Sequence, residues 1–197
     1  MTEQLLASTR ERLLRSAQAL IEEGGYAGAP VTAIAERAGV AVGTLYRHFD
    51  SKQELFVELF RAVCEREERA MRAACAEMAE RPAVEKLEHV LATFAERALR
   101  NPRLAWALIA EPVDPLVDAE RLAYRQRYAA VIADGLSAGI AAGELPEQNA
   151  ELTAAALVGG CGEALVGPLS PLSDEHPPGD QLVAALRTFV RRAVGAG

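Results

Sequence analysis

The sequence predicts an all-α protein of about nine helices, and three observations carry that expectation. Half of the 197 residues are hydrophobic but only 5% are aromatic, with Ala and Leu dominant and no β-branched run, a composition that favours helix over sheet. Apolar residues recur three and four positions apart in one segment after another. Between those segments stand the punctuation marks of helices: Ser, Asn or Asp at starts, Pro just inside them, and Gly at ends.

Taken in order, residues 1–7 read as a loose arm. Ser8 and Glu11 form an S-x-x-E capping box, and Leu13, Ala17, Leu20 and Ile21 give the helix it opens one buried stripe, ended by Gly24-Gly25. Arg10 and Arg12 at its start are expected to be solvated surface charge.

The stretch Val31 to Phe56, VTAIAERAGVAVGTLYRHFDSKQELF, organises the rest. Ile34, Ala35 and Ala38 share one face of a short helix, and Gly39 follows where the chain needs a positive φ. Val40 packs the turn. In the next short helix Leu45 and Phe49, four apart, share a buried side. The other side carries Gly43, Thr44, Arg47 and His48, with Tyr46 at its flank. Small, hydroxyl and cationic groups opposite an apolar face suit a recognition helix in a DNA major groove, and Arg47 can reach base edges or phosphates. Ser51 and Glu54 make a second capping box. Lys52 lies in the first turn of the helix they open, where a cation is unfavourable unless an anion arrives, and a DNA phosphate is the expected anion.

From Leu55 a long helix carries Phe56, Leu59, Phe60, Val63, Met71, Cys75 and Met78 to a break at Arg81-Pro82. A further helix holds Leu87, Val90, Leu91, Phe94 and Ala98. Asn101-Pro102 opens a short helix with Leu104, Trp106, Leu108 and Ile109, stopped by Glu111-Pro112. Asp114-Pro115 repeats the device for a helix from Leu116 to Ala142, with Leu122, Tyr128, Val131, Ile132, Leu136 and Ile140 as its stripe and Gly143 as its cap. A small-residue helix is expected from Glu147 to Leu165, including Gly159-Gly160. A proline-rich linker at 167–179 follows, and a last helix from near Asp180 carries Leu182, Leu186, Phe189, Val190 and Val194.

The segment AIAERAGVAVGTLYRHFDSKQELF resembles the helix-turn-helix signature of the tetracycline-repressor (TetR) family of bacterial transcriptional regulators. The resemblance is sharp over the first quarter of the chain and continues beyond it in length and helical layout. Pro30 and Ala41 stand where the family often has Ser or Thr, removing two hydroxyls that cap a helix or bind phosphate; Pro30 remains compatible with a first helical position.

The resemblance implies a helix-turn-helix DNA-binding domain at 1–50, with its motif at about 31–50, and a ligand-binding and dimerisation domain at 51–197. It implies double-stranded operator DNA as a partner, met by Thr32, Ala41, Val42, Gly43, Thr44, Tyr46, Arg47, His48 and Lys52. It also implies a homodimer whose heads reach successive major grooves roughly 34–36 Å apart, and a small lipophilic effector whose binding releases the palindromic site. The family places the effector among the long helix and the three after it. There Phe94, Trp106, Tyr124 and Tyr128 offer apolar faces with polar handles, although plain core packing explains any single one equally well. His89 or Glu111 would supply polar contacts. The last two helices, with Leu157, Gly160, Cys161, Leu186, Phe189 and Val190, are expected to form the dimer interface as a four-helix arrangement.

Composition narrows the alternatives. A net charge of −7 argues against a generally basic nucleic-acid binder, and over residues 1–50 five cations face six acids, so DNA binding would rest on a small patch. Cys64, Cys75 and Cys161 form no C-x-x-C pair, which points away from a disulfide framework or zinc site and suits a reducing cytoplasm. His48, His89 and His176 lack metal-ligand spacing; His89 and His176 are expected to be structural or solvated. No metal, cofactor, signal peptide or membrane span is expected, Leu152 to Val166 being short and interrupted by Glu163. Gly159-Gly160-Cys161-Gly162 fits no phosphate-loop pattern, and no carboxylate pair stands out, so an enzyme is not expected. The competing readings are a DNA-binding regulator without an effector, and a helical small-molecule-binding protein or enzyme.

Overall fold

A computed structural model describes residues 8–173 and 177–195; the arm at 1–7 and His176 lie outside them. Among the described residues the chain forms nine helices: α1 (Thr9–Gly24), α2 (Val31–Arg37), α3 (Val42–Leu45), α4 (Lys52–Glu77), α5 (Ala83–Arg100), α6 (Pro102–Ile109), α7 (Pro115–Ala141), α8 (Ala150–Leu169) and α9 (Gly179–Ala193).

The head is α1 to α3, closed against the start of α4. The Ser8–Glu11 capping box forms in full, and α1 ends at Gly25, whose φ of 71° only glycine adopts at little cost. Gly39 takes φ 67° after α2. Ile34, Ala35, Leu45 and Phe49 are buried, each large side chain contributing roughly 1.5–3 kcal/mol by leaving water. The recognition helix has only four α-helical residues, but Phe49 N–H still donates to Leu45 O at 3.0 Å, which keeps both residues on the inner face.

Pro30 and Ala41 occupy the N-cap positions of α2 and α3, and neither side chain caps its helix; Pro30 thus stands one step before the first helical residue expected for it. Ser51 accepts from Glu54 N–H at 3.0 Å, but the Glu54 carboxylate reaches Asp50 N–H rather than Ser51, so the second capping box is only half made.

The second part is a bundle. α4 packs on α5 and α7, α7 on α8, and α9 on α5, while α6 lies between α1 and α8. The Asn101-Pro102 and Asp114-Pro115 caps form as the sequence predicts. Two buried acids brace the bundle. Glu68 on α4 meets Arg127 of α7 at 2.6 Å, and Glu88 on α5 meets Arg191 of α9 at 2.7 Å. Leu122 is 60% exposed; the inner stripe of α7 runs instead through Val117, Tyr124, Tyr128, Val131 and Ile132.

The end of the chain departs from expectation in two ways. α8 runs to Leu169 with Pro168 inside its last turn, so the linker starts later than residue 167. At 20 residues, with mean hydropathy 1.4, α8 has the length and composition of a membrane span, which the shorter stretch read from the sequence lacked. One face of it is already packed on α7 and α6.

Candidate DNA-binding face and effector cavity

Thr32, Ala41, Val42, Gly43, Tyr46 and Arg47 are all exposed on the head, and Thr44 and His48 are half-buried. A Cβ built on Gly43 would meet nothing within 4 Å, so no contact inside the chain demands glycine there. Arg47 Nη2 donates to Thr44 Oγ1 at 3.1 Å, which lays the guanidinium along the outer face of α3.

Other cations of the head are tied inward. Arg10 donates to His48 O at 2.7 Å and to Glu58, and its guanidinium lies 4.5 Å from the centre of the Phe49 ring. Arg12 donates to Ala38 O, and Arg37 pairs with Glu23 at 2.6 Å. Arg10 and Arg12 therefore staple α1 to the motif and are not the solvated charges expected. Lys52 is also held: its ammonium donates to Tyr26 O at 3.3 Å and sits 4.3 Å and 5.3 Å from the Tyr26 and Phe56 ring centres. Burial lowers its pKa from the ordinary lysine value.

In the bundle a cavity of about 400 Å³ opens among α1, α4, α5, α6, α7 and α8, within the range of small-molecule sites. Phe60, Val63, Met71, Leu91, Leu104 and Leu108 give it an apolar wall, and Phe94, Tyr124 and Tyr128 line it as well. Phe94 and Tyr128 are 5.8 Å apart, and Tyr124 and Tyr128 6.1 Å, between ring centres. Both tyrosine hydroxyls are bonded to the backbone of α4: Tyr124 donates to Arg61 O at 3.3 Å and Tyr128 to Cys64 O at 3.2 Å.

Three residues expected at that wall stand elsewhere. His89 approaches Glu77 at 3.5 Å on the outside of the bundle. Trp106 packs against the core from a partly buried position on α6, outside the lining. Glu111 is spent on the head, both carboxylate oxygens accepting Tyr26 N–H at 3.2 Å. The reason is geometric: α6 is short, so only the face carrying Leu104, Ala105, Leu108 and Ile109 reaches the cavity.

The charged groups of the lining are mostly arginines, which the expectations from the sequence do not include: Arg66, Arg97, Arg100, Arg121 and Arg125 line the cavity with one carboxylate, Glu67. Arg97 is paired with Glu67 at 2.6 Å, and Arg66 donates to Gln18 at 3.1 Å. Arg121 donates to Leu108 O and Glu111 O at 2.8 and 3.0 Å and pairs with Asp118. For Arg100 and Arg125 no ion pair or hydrogen bond forms among the described residues. A sequence signal existed: Arg121, Tyr124, Arg125 and Tyr128 follow the i, i+3, i+4, i+7 pattern of one helix face.

Four of the six residues expected at a dimer interface are enclosed within their own subunit. Leu157 and Cys161 are 1% exposed, Leu186 4% and Val190 0%, because α8 and α9 turn those positions onto the bundle. Gly160 is half-buried against Phe189, whose ring a Cβ there would meet at 3.1 Å. What remains outside is Leu152, 68% exposed, and Phe189, 42%, with Ala155, Ala156 and Gly159 between them.

A short helix-turn-helix on a helical bundle with an internal cavity defines a class, the bacterial regulators with an N-terminal DNA-binding head. The profile described as "Bacterial regulatory proteins, tetR family" matches residues 13–59, and that described as "Tetracyclin repressor-like, C-terminal domain" matches residues 80–165. The chain belongs to the TetR family.

Among relatives, the HTH-type transcriptional repressor KstR of Mycolicibacterium smegmatis is 37% identical over 100 residues, covering 50% of this chain and 48% of the relative. The chain thus spans about half the length of that curated relative. Among solved structures, the fatty acid degradation regulator FadR of Bacillus halodurans superposes with TM-score 0.78 at 19% identity, over 98% of this chain and 97% of that one. FadR of Bacillus subtilis, solved in complex with stearoyl-CoA, gives 0.76 at 23% identity, over 94% and 98%. At these identities the two structures show a shared fold.

Proposed function

We propose that the protein is a transcriptional repressor that binds a palindromic operator as a homodimer and is released by an anionic amphiphile, with the acyl thioester of coenzyme A as the favoured class. The observation that carries this reading is the cavity: an apolar wall beside five arginines and a single carboxylate. An acyl chain suits the wall, and phosphates or a carboxylate suit the arginines. The stearoyl-CoA in the B. subtilis regulator of the same fold supports the class. This narrows the small lipophilic effector expected from the sequence; of its expected polar contacts, His89 and Glu111 stand away from the cavity.

On the DNA side, the exposed Thr32, Ala41, Val42, Gly43, Tyr46 and Arg47 and the half-buried Thr44 and His48, with Lys52, would meet the operator, and Arg47 would read bases. The outer apolar face of α8, with Leu152, Gly159 and the neighbouring Phe189, supports a second copy as its cover. A DNA-binding role without catalysis fits a bacterial cytoplasm. The reading is tested with oleoyl-CoA and a duplex selected from a randomised library. Oleoyl-CoA should bind by calorimetry and weaken the selected duplex by roughly 5–150-fold, the usual range of such coupling. Absence of binding, or tighter DNA binding in its presence, overturns it.

A further inference from the structure

Arg121 belongs to two places at once. It lines the cavity, and it closes the end of α6, its Nε donating to Leu108 O at 2.8 Å and its Nη2 to Glu111 O at 3.0 Å. A short helix ends with unpaired carbonyls, and a cation is favoured there, so Arg121 holds the corner at 108–111 in place. The Glu111 side chain leaves that corner in the other direction and accepts Tyr26 N–H with both oxygens at 3.2 Å. Tyr26 O in turn accepts from Lys52 at 3.3 Å. Arg103, from the start of α6, donates to Gly24 O at 3.0 Å. Between these side chains lies Gly25, where a Cβ would fall 2.4 Å from Arg103 Nη2 and 2.8 Å from Glu111 Oε1. Four residues thus run unbroken from the cavity wall to the first turn of α4, beside the recognition helix.

We propose that Arg121 senses the negative charge of the effector and that Glu111, as a positioning residue, relays its displacement to the head through Tyr26. The inference rests on the reading of the cavity as the seat of an anionic amphiphile. At the corner the guanidinium has only neutral carbonyls, and its carboxylate partner Asp118 is 56% exposed. Burial also holds its pKa below the ordinary arginine value. A hydrogen bond from a guanidinium to an anion is roughly twice as strong as one between neutral groups, so an anionic group entering the cavity draws Arg121 away from α6. The corner loses its cation, Glu111 loses its fixed seat, and Tyr26 N–H loses its acceptor. A neutral ligand of similar shape fills the cavity and leaves the relay intact.

The test uses the full chain with oleoyl-CoA and its uncharged counterpart, oleoyl-pantetheine. Hydrogen exchange of the segment 24–30 reports the Tyr26 amide, and the selected duplex reports the head. Oleoyl-CoA should speed exchange in that segment about tenfold, the factor expected for loss of one charge-assisted bond; oleoyl-pantetheine should leave it unchanged. Glu111→Ala, away from the cavity, should bind oleoyl-CoA as the parent does, exchange fast with or without it because Tyr26 N–H has lost its acceptor, and hold DNA with an affinity that no longer responds to it. Equal acceleration by the two thioesters overturns the relay, as does a parental DNA response in Glu111→Ala. If oleoyl-CoA binds and releases DNA while the 24–30 segment stays protected, the relay alone falls. If neither thioester binds the parent, the cavity reading falls and takes the relay with it.

Discussion

The hydroxyl of Tyr128 on α7 donates to the backbone carbonyl of Cys64 on α4 at 3.2 Å, and this bond decides which part of the tyrosine the cavity sees. The ring stays in the wall while the polar end is committed to the protein. Burial raises the phenol's pKa far above its ordinary value, so it remains a neutral donor. Tyr128→Phe should cost about 1 kcal/mol and lower Tm by roughly 2–4 °C in a chain of this size. Affinity for oleoyl-CoA should stay within about twofold. A much larger loss in calorimetry would place the hydroxyl on the ligand.

Among the described residues Arg100 and Arg125 are the cavity arginines that form no ion pair or hydrogen bond, so replacing them should leave the fold intact. Arg100→Gln and Arg125→Gln are each expected to weaken oleoyl-CoA by about tenfold or more, the worth of a hydrogen bond to a charged group. Binding of oleoyl-pantetheine should be unaffected. Both residues are exposed, so the contribution should shrink as salt rises. Titrations at two ionic strengths read both effects.

Burial pushes the Cys64 thiol up to about 12 and the Cys161 thiol to about 11. The thiolate is the reactive form, so both cavity cysteines are almost wholly neutral and slow to alkylate at pH 8. Cys75 is only half-buried and should react first. Iodoacetamide labelling read by mass spectrometry should give one fast and two slow sites, with Cys161 and Cys64 accelerating as pH climbs towards 11. Fast labelling of Cys161 at pH 8 would contradict its enclosure.

The head was legible because its determinants are local: capping boxes, a glycine at positive φ, and apolar residues four apart. The cavity was legible only in part. Helical spacing places Phe94 and Tyr128 on inner faces, while Tyr124 is pointed to only by the family's pocket, and spacing cannot say how α6 is rotated. That rotation put Trp106 and Glu111 outside the cavity, with Glu111 turned to the head. The arginines were passed over because charged residues are usually surface, and their convergence from α4, α5 and α7 is a tertiary fact. The same holds for Leu157 and Val190. An apolar stripe shows that a face is covered, but whether its own subunit or another chain covers it depends on packing.

On DNA, Arg10, Arg12 and Arg37 are occupied within the head, which leaves for phosphates or bases Arg47, the donors of Lys52 that its bond to Tyr26 O does not use, and few other cations. Each neutralised phosphate adds about −0.9 to the slope of log K against log salt, so the slope should be modest. Arg47→Ala should cost about 1–3 kcal/mol at particular base pairs and relax preference there. Lys52→Ala should weaken all duplexes alike and also lower stability somewhat, since its ammonium rests on two rings. Fluorescence anisotropy on matched and mismatched duplexes separates the two. Equal loss on all sequences for Arg47→Ala would make it a phosphate contact.

The outer face of α8 gives the sharpest test of assembly. Leu152 is exposed on an apolar helix, and a Cβ at Gly159 would meet nothing within 4 Å, so neither position is shaped by its own subunit. Leu152→Glu and Phe189→Asp should therefore yield folded monomers in sedimentation, with helical circular dichroism and Tm close to the parent at low protein concentration. Leu186→Asp and Val190→Asp should behave differently. Both positions are enclosed in the subunit, and an unpaired charge there costs several kcal/mol, so these variants should lose helix content rather than dissociate. A parent that sediments as a monomer at micromolar concentration would remove the homodimer. Native-like dimers from Leu152→Glu and Phe189→Asp would move the interface away from α8 and α9.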